Sequence, residues 1–331
     1  MKISVDGGAL NPKNNQRFGT SVFSENLVAA LKRYDKKNQY SIYTFKNLRP
    51  KLFWLKGRVS LEEFINKKDV FLALNQAIPF YISGKIISFC HGLSYYFYPQ
   101  YYPKKDYIRL KKQLKEMVKR SDKIIVSSEK VKHELTSIYR YIESKIIVLP
   151  FGIPVDMLNI VTTLMRPHSS CNNKYEYFLF VANNQPIKNI NFVLQSFNRL
   201  KENIEYKNYK LFLVGDWKKY ENKKQQIISV GNISRQKLKK LYQRVTALLI
   251  SSHYESFNFP VLEALSQGCS VVGLKSAIIP EFETYVNLAN NVEEFVEKMK
   301  KITKKPGVKS INQLYKKFNW KNYVKNLVKL Y

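Results

Sequence analysis

Short apolar runs recur along almost the whole chain, with stretches of helical apolar spacing between them. Runs at 3–5, 40–45, 70–74, 86–89, 124–126 and 146–149 read as one series of strands, and a helical pattern covers 20–34. A second series follows at 177–181, 211–215, 227–230, 247–250 and 270–274. Strands alternating with helices at this spacing predict an α/β fold of parallel, doubly wound sheets. Between the two series, residues 162–174 are polar and aperiodic and read as an interdomain connection. Residues 311–331 read as amphipathic helix. A chain of 331 residues is long enough for about two domains, each with its own core.

The second series contains the stretch richest in chemistry. Ala247-Leu248-Leu249-Ile250 leads into Ser251-Ser252-His253-Tyr254-Glu255, and Pro260 stands where a helix would begin. Gly268 falls where that helix would close, before Ser270-Val271-Val272-Gly273-Leu274. The unit is strand, loop, helix, strand, with Glu255 in the loop and Glu263 in the helix. Amides at a helix N-terminus favour an anion, and two flanking carboxylates can accept from hydroxyls. That combination suits a phosphorylated, hydroxyl-rich ligand such as a nucleotide sugar. A surface helix carrying two solvated glutamates is the alternative from spacing alone.

Charge and cysteines narrow the classes. The net charge of +31 is spread about equally over residues 1–150 and the remainder, so there is no basic tail. Such an excess suits anionic lipid, nucleic acid or a phosphorylated substrate. Abundant Lys, Asn, Ile and Tyr, as expected of a coding sequence rich in A and T, account for part of it. No nucleic-acid-binding motif accompanies the charge. Cys90, Cys171 and Cys269 are scattered without metal-ligand spacing, as in a reduced, cytoplasmic protein. The most apolar region, 70–90, is interrupted by Asn75, Gln76 and Lys85 and reads as no membrane span, and Met1-Lys2-Ile3-Ser4-Val5-Asp6 lacks the apolar core of a signal peptide. No D-x-D sequence is present to hold a divalent ion.

The stretch from Glu255 to Leu265 resembles the E-x7-E motif of the retaining, family 4 type glycosyltransferases (glycosyl transferases group 1). The resemblance extends in order along the chain. Asp6 with Arg17-Phe18-Gly19-Thr20 and Glu25-Asn26-Leu27 is similar to the family's first strand, glycine loop and helix. Phe89-Cys90-His91-Gly92-Leu93-Ser94 resembles its histidine segment, and Val126-Ser127-Ser128 and Val148-Leu149-Pro150-Phe151-Gly152-Ile153 its last two N-terminal strands. Gly231-Asn232-Ile233-Ser234 with Leu238 and Tyr242 is similar to the approach to the motif, and Phe318-Asn319-Trp320 to the aromatic pair of the last helix. The resemblance implies the GT-B architecture, two Rossmann-like domains facing across a cleft. Domains at 1–158 (acceptor) and 159–311 (donor) follow, with a C-terminal helix at about 312–331 crossing back to the first.

By position, the resemblance implies that Glu255 holds donor-sugar hydroxyls and Glu263 the ribose. Lys188 matches the diphosphate lysine, and a fixed ammonium is suited to stabilise a departing phosphate. His91 matches the histidine near the donor sugar; on its own, a histidine after a buried strand is as readily a packed residue. Gly19 would let the N-terminal loop approach the phosphates. Ser256, Phe257, Asn258, Phe259 and Leu262 would frame the donor around the backbone amides, and Ile233 would lie near the base. Four positions depart from the family pattern: Asn183 or Asn184 for an arginine, Asn258 for glycine, Phe151 for asparagine and Gly92 for aspartate.

The implied activity is transfer from a GDP- or UDP-sugar to a glycan or lipid-linked acceptor. It would proceed with retention, without metal or cofactor, in cell-surface polysaccharide or lipopolysaccharide assembly. A non-catalytic nucleotide-sugar binder and a basic nucleic-acid-binding protein are the alternatives. Residues 95–120 pair tyrosines with a cationic helix whose apolar face carries Tyr107, Leu110, Leu114, Met117 and Val118. That face suits an anionic membrane on the cytoplasmic side, or packs on the sheet with its lysines merely solvated.

Overall fold

Twelve β-strands among the described residues form two separate sheets, and every strand pairs in parallel with its neighbours. The computed structural model describes residues 1–10, 19–46, 48, 53–158, 176–302 and 308–331. Arg17 and Phe18 of the glycine loop, the 162–174 connection, His168 and Cys171 lie outside them.

The first sheet holds β1 (Lys2–Asp6), β2 (Gln39–Tyr43), β3 (Val70–Ala73), β4 (Lys85–Cys90), β5 (Lys123–Val126) and β6 (Ile146–Val148), in the order β2-β1-β3-β4-β5-β6. Helices α1 (Gly19–Tyr34), α2 (Ser60–Ile65), α3 (Ser94–Phe97), α4 (Lys104–Arg120) and α5 (Glu129–Ile138) connect these strands. The second sheet holds β7 (Tyr177–Val181), β8 (Lys210–Val214), β9 (Ile227–Gly231), β10 (Ala247–Ile250), β11 (Ser270–Leu274) and β12 (Asn287–Ala289). Its order is β12-β11-β10-β7-β8-β9. With it go α6 (Ile190–Lys201), α7 (Arg235–Arg244), α8 (Phe259–Ser266), α9 (Val292–Lys300) and α10 (Val308–Lys317). The strands β3, β10 and β11 are buried along their whole length, as expected of largely apolar strands covered on both faces.

The chain divides into two units, Met1–Gly152 with Asn319–Tyr331, and Ile153–Phe318. Residues 153–158 therefore go with the second unit. The end of the chain is not one helix. It breaks at Asn319, whose extended backbone and side chain cap α11 (Trp320–Val328) by accepting from Lys321 N and Asn322 N. The break coincides with the change of unit, so α10 belongs to the second and α11 to the first. In the first unit α11 packs on α1, with the Phe23 ring 6.1 Å from Trp320 and 6.3 Å from Tyr323. Gly152 lies so close to that helix that a Cβ would fall 2.5 Å from the Trp320 ring.

The apolar face expected on the basic helix exists but is spent inside. Leu114, Met117 and Val118 are buried in the core of the first unit, with Leu110 packed against it. That face of α4 is not available to a membrane. Cys90 and Cys269 are buried and form no disulfide.

Candidate functional site

In the second sheet the strand order reverses between β7 and β10, and loops leaving the carboxyl ends of strands at such a reversal form a ligand crevice. Lys188 lies in the loop after β7 and Glu255 in the loop after β10. The topology brings them together, with Lys188 Nζ 2.7 Å from Glu255 Oε1. Both side chains are largely buried. Ser252 Oγ donates to the same carboxylate oxygen at 2.7 Å. The two loops are stitched by Ser251 Oγ, donating to Lys188 O and Asn189 O, and by His253 N donating to Ile187 O at 2.9 Å. Lys188 is therefore held from both sides, and Asn189 takes the left-handed conformation at φ 51° to turn the chain into α6.

The departure at position 258 has a physical explanation. Asn258 has φ 67°, a left-handed geometry that asparagine tolerates better than most residues. Its Oδ1 accepts from Val261 N, so it also caps α8, a role glycine could not fill with a side chain. Its Nδ2 is buried without a hydrogen-bond partner, as is Asn183 Oδ1 across the β7 loop. The side chains of Phe257, Phe259 and Leu262 are buried; Phe257 packs on Phe282 and Phe318. Pro260 has no N–H and Val261 N is taken by Asn258, so the stretch contributes chiefly the positive end of the α8 dipole. Ser256 is half-buried beside it, and Ile233 is half-buried in the turn between β9 and α7.

Glu263 is almost fully buried. Its side chain is 3% exposed, and Arg235 Nη2 lies 2.8 Å from Oε1 while Tyr242 donates to Oε2 at 3.3 Å. Arg235 also forks onto Asp156, with 2.8 and 3.0 Å contacts. Burial opposes the guanidinium's charge, but Glu263 and Asp156 outweigh it and raise its pKa. Arg235 was not singled out from sequence. The available signal is that Arg235, Leu238 and Tyr242 share one helical face, and the latter two are buried.

In the first unit the order reverses between β1 and β3, and His91 follows β4. Its Nε2 donates to Leu74 O at 2.6 Å, and burial pushes its pKa down to about 4. The single proton of the neutral ring is thus on Nε2, leaving Nδ1 as an acceptor. Phe23 meets the ring edge-on at 4.9 Å and Phe151 packs at 6.0 Å, so His91 is both packed and polar. Gly92 has φ 128°, a conformation favouring glycine over the aspartate common in the family pattern. Gly19 opens α1. Asp6, at the end of β1, accepts from Gly8 N and Asn75 Nδ2, and burial raises its pKa against those bonds. Among the described residues no group of three His, Cys, Asp or Glu is placed to hold a metal ion, and no helix is long and apolar enough to cross a membrane.

Two parallel sheets of this topology, with a lysine–glutamate pair at the reversal of the second, define a GT-B transferase-type scaffold. The family model described as Glycosyltransferase Family 4 matches residues 39–157, and that described as Glycosyl transferases group 1 matches residues 162–323. Side by side they cover most of the chain, which belongs to this glycosyltransferase family. In sequence the chain is 24% identical, over 65% of its length, to O-antigen chain mannosyltransferase B of Escherichia coli. That match spans 59% of the relative, less than two thirds of it. In fold it is similar to sucrose-phosphate synthase from Thermosynechococcus elongatus, with TM-score 0.73 at 14% identity, covering 100% of this chain and 98% of that one. Anabaena HepE in complex with UDP-glucose is also similar, with TM-score 0.68 at 13% identity and coverage of 100% and 99%.

Proposed function

We propose that this protein moves a hexose from a nucleotide diphosphate sugar, GDP- or UDP-linked, to a glycan or lipid-linked acceptor, with retention and without a metal. The observation that carries the proposal is the Lys188–Glu255 pair at the carboxyl ends of β7 and β10. The two groups divide the chemistry. Lys188 and the positive end of the α8 dipole oppose the negative charge that grows on the departing diphosphate. Glu255 accepts hydroxyls of the donor sugar and fixes its position, and the donor's phosphate oxygen takes the acceptor's proton on the same face. Glu263, held by Arg235 and Tyr242, offers its remaining lone pairs to the ribose. His91 Nδ1 accepts from a sugar hydroxyl and cannot donate to one.

Metal independence is supported by the fixed cation at Lys188 and the missing D-x-D sequence. The likeness to a relative named as an O-antigen chain mannosyltransferase supports a role in cell-surface polysaccharide or lipopolysaccharide assembly. A thermal-shift screen of nucleotide diphosphate sugars, followed by hydrolysis and transfer assays on the hits, tests the proposal. Stabilisation by a GDP- or UDP-sugar with slow hydrolysis is expected. Binding without any turnover would favour a non-catalytic nucleotide-sugar binder.

A further inference from the structure

Helix α2 is amphipathic in the wrong sense. Of its two glutamates it buries Glu63, which accepts from Tyr43 Oη at 2.9 Å and Ser83 Oγ at 3.3 Å. It turns Leu61, Phe64 and Ile65 to solvent, with Phe64 63% and Ile65 65% exposed. Spaced i, i+3 and i+4, these three share the outer face. Phe53, ahead of α2, is 73% exposed, and Phe80, in the β3–β4 loop, 70%. The parts are joined: Tyr81 N donates to Ser60 Oγ at 3.1 Å, and the Phe64 and Tyr81 rings meet at 5.6 Å. Apolar side chains held outward in this way, with those of α2 and the Phe80–Tyr81 loop joined, mark an interaction surface.

What the surface is joined to identifies its partner. Lys56 lies 5.0 Å over the Phe80 ring and 2.6 Å from Glu116 of α4. Arg120 of α4 pairs with Glu116 at 2.8 Å and donates to Pro79 O and Phe80 O at 2.6 and 3.1 Å. The apolar loop is thereby stapled to the outward face of α4, where Lys105, Arg109, Lys112 and Lys119 fall along the stripe of Glu116. Against the basic residues of α4 stand only Asp106 and Glu116, each in an ion pair. Near the apolar side chains, Glu62 accepts from Asn66 and Asp69 from Lys2 N.

We propose that this face docks on an anionic lipid bilayer, with Phe53, Phe64, Ile65 and Phe80 entering the interface and the α4 stripe meeting the headgroup charge. The proposal deepens the reading of a lipid-linked acceptor. It replaces the inner face of α4, which is buried, by its outer face and the α2 surface. Aliphatic Leu61 and Ile65 beside the rings fit acyl chains better than stacked bases, which call for aromatic planes.

Co-sedimentation of the full chain with vesicles tests it, using phosphatidylcholine alone and phosphatidylcholine mixed with phosphatidylglycerol. Binding to the mixed vesicles, weakened by salt, and little binding to phosphatidylcholine alone are expected. The Phe64→Ser/Phe80→Ser variant should bind the mixed vesicles about tenfold or more weaker, given the apolar area it removes. Lys112→Ser/Lys119→Ser should weaken binding to a similar degree. No binding of the wild type to mixed vesicles at low salt overturns the proposal, as does unchanged binding by the phenylalanine variant. Displacement by single-stranded DNA, with the phenylalanine variant equally impaired on DNA, overturns it in favour of a nucleic-acid surface. Melting temperature and nucleotide-sugar thermal shift should match the wild type in every variant, so a failure here is distinct from a failure of the transferase reading.

Discussion

Lys188 Nζ and Glu255 Oε1 are 2.7 Å apart across 67 residues of sequence, each on a loop that leaves a neighbouring strand of the same parallel sheet. The pair is largely buried and shares its carboxylate oxygen with Ser252. An incoming diphosphate competes with Glu255 for the ammonium, and an incoming sugar competes with Lys188 for the carboxylate. A ligand carrying both groups, as the proposed nucleotide sugar does, would satisfy the two at once.

Arg235 is the second structural dependence of the site. Removing it leaves Glu263 buried without its cation, and breaking such a pair costs about 3–5 kcal/mol. Asp156 is 40% exposed, so Asp156→Asn should cost under about 1 kcal/mol. Urea unfolding of Arg235→Ala and Asp156→Asn should show this order, and Arg235→Ala should raise KM for the nucleotide sugar more than it lowers kcat. Equal destabilisation by the two variants would show that Glu263 does not depend on Arg235.

His91 makes stability depend on pH. Its folded pKa is about 4 against 6.5 for a free histidine, so between these values the unfolded chain binds a proton that the folded chain does not. Stability is therefore undiminished above about pH 6.5 and falls as pH drops, by about 3 kcal/mol on reaching pH 4. Urea unfolding across this range should give a steeper loss for the wild type than for His91→Asn. Parallel profiles would contradict the buried, neutral imidazole.

Asn258 separates backbone geometry from ligand contact. Glycine accepts its left-handed backbone and replaces a cap at a cost of a few tenths of a kcal/mol, whereas alanine loses the cap and strains the backbone, costing about 2 kcal/mol. Asn258→Gly should keep both the melting temperature and the affinity for the nucleotide sugar near wild type, because Nδ2 is buried away from any ligand. Weaker binding in a calorimetric titration would show that Nδ2 reaches the donor.

Much of this was legible in the sequence because buried parallel strands are written as uniform apolar runs. The unit from Ala247 to Leu274 folds as strand, loop, helix and strand, with Asn258 capping the helix and Gly268 past its end at φ 72°. What failed to show depends on distant partners. Asn287-Leu288-Ala289 is too short and polar to announce β12, which is completed by pairing with β11. Asn319 looks compatible with one continuous helix until its side chain is seen capping α11. The outward Phe64 and Ile65 invert the usual rule because Tyr43 and Ser83 draw Glu63 inward. Arg235 meets Asp156 and Glu263 only once α7 is packed, which no local spacing announces.

The central claim is that Glu255 and Lys188 perform the transfer together. Its most direct test is kcat for hydrolysis or transfer from whichever nucleotide diphosphate sugar stabilises the wild type, measured for Glu255→Ala and Lys188→Ala with folding verified by circular dichroism. Loss of about 100-fold or more in each variant is predicted, the scale seen when one preorganised electrostatic contact to a transition state is removed. Near-normal turnover by Glu255→Ala would contradict the account.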